Sequence, residues 1–120
     1  MLEKNKKQKT RKPTVDEFLQ FKPVRADYEW STDDKGLVQI KVPKFESSIG
    51  KKFCHLIKKE NTFSAHMDEL GSFVWKQCDG RTTVKEILNR LQKEFDEDEN
   101  LDQRLFLFLQ QMRQLRYLHY

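Results

Sequence analysis

Between Met67 and Ile87 the sequence MDELGSFVWKQCDGRTTVKEI confines two helix starts and one obligatory turn to a short span. Asp68 stands where an N-cap belongs, ahead of a run with apolar helical spacing at Leu70, Phe73, Val74 and Gln77. Asp79-Gly80 ends that helix, because glycine takes the positive φ that stops it without steric cost. Thr83 and Glu86 then spell a capping box, in which a hydroxyl and a carboxylate each satisfy an orphan amide. A chain so punctuated must form helix, tight turn and capped helix. Such a subdomain suits binding and offers no evident catalytic group.

These residues carry a resemblance. Trp75 inside the first helix, Cys78-Asp79-Gly80 after it, a short basic-polar spacer and Thr83-Val84-Lys85-Glu86-Ile87 are similar to the PqqD family. These are small peptide-recognition proteins of peptide-modification pathways. The matching positions are Asp68, Glu69, Gly71, Trp75, Cys78, Asp79, Gly80, Thr83, Val84, Glu86 and Ile87. With its flanks the resemblance extends from Arg25 to Leu118. Asp68, Gly80, Thr83 and Glu86 are expected to cap and turn the chain, and Trp75 and Ile87 to pack the core.

The charge is unevenly divided. Residues 1–12 hold six basic side chains against one acidic, or +5, so a net charge of +4 leaves the rest of the chain at −1. The basic character belongs to the N-terminal tail, residues 1–13, which lacks the apolar surface to fold and is expected to be disordered. Its bland role is a solvated arm; its functional role would be contact with nucleic acid, acidic peptide or anionic lipid. Residues 14–120 are expected to form a single domain. No apolar run reaches the roughly 20 residues of a membrane span, and no signal-peptide core is recognisable. With Cys54 and Cys78 far apart and no CxxC pair, a reduced, cytoplasmic protein is expected.

Along the chain, Thr14 to Glu17 forms another capping box ahead of Phe18, Leu19 and Phe21. From Val24 the period becomes two. Ala26, Tyr28 and Trp30 alternate with polar neighbours as one half-buried strand, Ser31 to Gly36 turns, and Val38, Ile40 and Val42 return. Ile49, Phe53, Leu56 and Ile57 predict a short amphipathic helix within Ser47 to Glu60, packed over the hairpin. Asn61 to Met67 reads as a third strand at a sheet edge. A helix from Thr83 to about Phe95, an acidic linker from Asp96 to Asn100, and a last helix from Leu101 to about Arg116 complete the chain, with Tyr117 to Tyr120 unassigned. The fold class is α+β: winged-helix-like, a three-stranded antiparallel sheet followed by a three-helix subdomain.

In the last helix Leu101, Leu105, Phe108, Leu109, Met112 and Leu115 gather on the predicted core face, whereas Phe106 and Leu107 fall on opposite flanks. Leu107 shares its side with Arg104, Gln111 and Gln114. Beside it, an edge strand offers unpaired amides and carbonyls to an incoming extended peptide. The resemblance implies a leader peptide lying along the third strand and against the third helix. On this sequence that means backbone pairing at Thr62, Phe63, Ser64, Ala65 and His66, and a wall at Arg104, Leu107 and Gln111. It also implies a precursor peptide and a radical S-adenosylmethionine enzyme as partners, with no cofactor in this chain. The segment at 47–60 and the tail exceed the family's minimal pattern.

Other chemistry fits poorly. Cys54, His55, His66 and Cys78 match no compact zinc spacing, and no thiol or hydroxyl has a neighbouring base. The alternatives are a winged-helix nucleic-acid binder and a general scaffold. The first is disfavoured because Lys85, Arg90 and Lys93 are offset by Glu86 and Glu94. An open edge would allow a monomer or a homodimer.

Overall fold

The structure, a computed structural model, describes residues 12–43 and 62–120. Thr14 starts helix α1 (Val15–Leu19): its hydroxyl accepts the Glu17 amide at 3.2 Å, and its own amide donates to the Glu17 carboxylate at 3.3 Å. Buried Pro23 closes this segment and leads into β1 (Val24–Arg25). Strands β2 (Trp30–Thr32), β3 (Val38–Pro43) and β4 (Thr62–His66) form an antiparallel sheet in the order β2-β3-β4.

Three helices follow: α2 (Glu69–Gln77), α3 (Val84–Glu94) and α4 (Leu101–Gln114). Asp68 caps α2 by accepting the Gly71 amide at 2.8 Å, and Thr83 and Glu86 cap α3 reciprocally. Between these helices Gly80 sits at φ +78° and donates its amide to the Pro23 carbonyl at 2.9 Å. A Cβ there would be strained by that φ and would lie 3.3 Å from Val24. The core lies between the sheet and the helices. Val38 and Ile40 meet Val74 and Trp75 of α2, Ile87 and Leu91 of α3, and Leu105 and Leu109 of α4, all buried.

Three features depart from the sequence reading. The single strand expected from Val24 is two pieces, because the chain changes partner: Val24 and Arg25 pair with β5 (Leu118–His119), whereas Trp30 to Thr32 pair with β3. An Ala26–Tyr28 hydrogen bond bends the chain between them. The unassigned C-terminus therefore supplies β5, reached after Arg116 reverses the chain at φ 64°. Leu115, placed in the core stripe by its spacing, is 57% exposed because it lies past the last residue of α4 at the edge of the buried face. Phe106, on its flank of α4, is covered by α1, Phe18 meeting its ring edge-on at 5.1 Å. The helix expected within 47–60 and most of the 1–13 tail lie outside the described residues.

Candidate functional site

Among the described residues β4 is an edge strand, and its hydrogen-bond register decides which main-chain groups it offers. Antiparallel pairs alternate between those that exchange bonds and those that do not. Met67 donates its amide to the Val38 carbonyl, and Lys41 donates its own toward the other side, to Glu29. Carried along the register Ile40↔Ala65 and Val42↔Phe63, this alternation turns the polar groups of Phe63 and Ala65 toward β3. Those of Thr62, Ser64 and His66 point away from the sheet, where no described strand pairs with them.

The side chains of β4 alternate as well. Phe63 and Ala65 share the face of Val42 and Ile40, while Ser64 and His66 lie with Lys41 and Gln39 on the polar face. Ala65 and Met67 pack on the core, and Phe63, at the far end, is 47% exposed.

Helix α4 approaches the other end of this strand. Gly71 has no side chain, and a Cβ there would lie 2.9 Å from Cε1 of Phe108 and 3.5 Å from Cβ of Met67. The Phe108 flank of α4 thus rests on the junction of β4 and α2. Arg104, Gln111 and Leu107 follow on that flank and are exposed, Leu107 at 55%. Arg104 is steered by Asp98 at 3.5 Å, an exposed pair worth little in stability. Of the residues singled out from sequence, Thr62 to His66 form one continuous edge, and Arg104, Leu107 and Gln111 form one exposed helix flank. The two sets join through Phe108, Met67 and Gly71. Helical spacing places Phe108 on the core face, and the structure shows it also as this join.

The motif residues between them hold the scaffold. Trp75 and Ile87 are fully buried. Asp79 accepts amides from Arg81 and Thr82 at 2.9 and 2.8 Å, and these bonds hold its carboxyl down at about 2. Burial pushes the Cys78 thiol up to about 12, so it stays protonated at neutral pH. Among the described residues no group of His, Cys, Asp and Glu could hold a metal ion, and no helix is long and apolar enough to cross a membrane.

Two supports escaped the sequence reading. The Ser72 hydroxyl accepts the Val38 amide at 2.7 Å in a buried site, tying α2 to β3. Arg25 donates to the carbonyls of Trp75 and Lys76 at 3.1 and 3.2 Å, satisfying the C-terminal end of α2. Spacing shows neither, since both join segments remote in sequence. On α3, Arg90 is held by Gln77 at 2.6 Å and lies 3.9 Å from Glu86.

The family described as Coenzyme PQQ synthesis protein D (PqqD) matches the chain over residues 57–118, a span that takes in β4, all three following helices and the start of β5. No curated protein and no solved structure matches the chain.

Proposed function

The chain belongs to the PqqD family, and from that premise we propose that it is a non-catalytic accessory protein that binds the leader of a ribosomally made precursor peptide. Its family description ties it to the synthesis of coenzyme PQQ. In this reading the bound leader is presented to a radical S-adenosylmethionine enzyme, whose own clusters supply the redox chemistry; this chain brings no cofactor.

The observation that carries the proposal is the outward row of main-chain groups at Thr62, Ser64 and His66, bordered by an exposed flank of α4. An extended peptide adding a strand there gains main-chain hydrogen bonds, which bind without regard to sequence. Selectivity comes from side chains, with Leu107 and Phe63 as apolar contacts and Arg104 and Gln111 as donors.

Calorimetry with the leader segment of a ribosomally made precursor peptide tests it. Leu107→Glu should weaken binding by tenfold or more while the thermal melt stays within a few degrees, since an exposed change rarely exceeds about 0.5 kcal/mol in stability. Unchanged affinity in a folded Leu107→Glu protein would remove the α4 flank from the site.

A further inference from the structure

On the side of α4 turned toward α1 lies a cleft of about 370 Å³ whose lining includes Lys12, Phe18, Phe106, Gln110, Arg113 and Tyr120. Phe106, Gln110 and Arg113 sit about 130° around the helix axis from Arg104, Leu107 and Gln111, so this cleft is separate from the peptide edge. Its floor is a packed aromatic set. Phe18 meets Phe106 at 5.1 Å and Tyr120 at 5.7 Å, both edge-on. The rim is cationic. Arg113 lies over the Tyr120 ring at 4.7 Å, Lys12 also lines the cleft, and no Asp or Glu is among the lining side chains. The Thr14 hydroxyl is committed to Glu17 and adds nothing.

We propose that this cleft binds a small aromatic carboxylate: one ring on a short arm that ends in a carboxylate. The volume is at the lower end of small-ligand sites, roughly 300–1,000 Å³, and so suits a small ring-bearing ligand. The ring packs against the edges and faces of Phe18 and Phe106, where aromatic pairs prefer tilted contacts. The carboxylate meets Arg113, which lies over the Tyr120 ring and also donates a hydrogen bond to its hydroxyl, with Lys12 as a second cation and the Gln110 amide as a neutral donor. A neutral ligand of the same shape keeps the floor and forfeits the rim.

The test is a ¹⁵N chemical-shift titration of the full chain with 3-phenylpropionate and, in parallel, 3-phenylpropionamide. The acid should give saturable shifts centred on Phe18, Phe106, Gln110 and Arg113 and bind about tenfold more tightly than the amide. Added salt should narrow that ratio. Arg113→Gln should bring the acid down to the amide's affinity; should that variant lose its fold, Lys12→Gln, at an exposed position, must still reduce the ratio. Equal affinities for acid and amide, shifts centred on Leu107 and β4, or no saturable shift at millimolar ligand would each overturn the proposal.

Discussion

Gly71→Ala sets two effects of known size against each other. Alanine within a helix is favoured over glycine by at most about 1 kcal/mol, so propensity alone predicts a stabler protein. The new Cβ, however, would sit 2.9 Å from Cε1 of Phe108 and 3.1 Å from Oδ1 of Asp68, the cap of α2. Carbon atoms pack best at about 3.5–4.0 Å, so the Phe108 ring must retreat by roughly 0.6 Å or more. That ring is half-buried against the core, and overpacking of this kind costs about 1–3 kcal/mol. Steric cost wins, with a net loss of about 1 kcal/mol and a fall in Tm of roughly 4 °C. Urea denaturation should show a lower midpoint at unchanged slope. In a Phe108→Leu background the obstruction shrinks, and Gly71→Ala should become neutral or stabilising, a coupling of about 1 kcal/mol. A raised midpoint for Gly71→Ala alone would refute the close approach of α2 and α4, and with it the position of the Leu107 flank.

Thr83→Ala removes the hydroxyl that accepts the Glu86 amide at 3.2 Å and should cost about 1 kcal/mol in denaturant titration. Ser72→Ala leaves the buried Val38 amide without its acceptor, and a loss of roughly 1–3 kcal/mol is expected in the same assay. Cys78 makes stability fall at high pH. Its thiol ionises at 9.0 when unfolded but only at about 12 in the folded protein, so its contribution is complete below pH 9 and declines as pH rises toward 12. Stability measured from pH 8 to 11 should decline more gently in Cys78→Ala than in the parent; identical slopes would contradict a buried, protonated thiol.

What could be read from the sequence was local. Thr14, Asp68 and Thr83 announce their helices because a cap involves partners three residues apart, and Gly80 announces its turn because its φ is its own. The sheet edge was legible through the alternation of Phe63, Ala65 and Met67. The rest depended on remote pairing. Nothing near Val24 in the sequence names Leu118 and His119 as its partners, so alternation alone carries the strand on to Trp30. The outward set Thr62, Ser64 and His66 could not be separated from Phe63 and Ala65 either, since that choice is fixed by the bonds β3 makes on each side. Phe106 could be placed on a flank by spacing, but only the fold shows α1 folded back to cover it.

Amide hydrogen exchange of β4 with and without saturating precursor peptide reaches the central claim most directly. Phe63 and Ala65, already turned toward β3, should change little, whereas Ser64 and His66 should gain strong protection, with Thr62 following at the strand's start. Protection gained equally along the strand, or gained elsewhere while Ser64 and His66 go on exchanging freely, would contradict peptide addition at this edge.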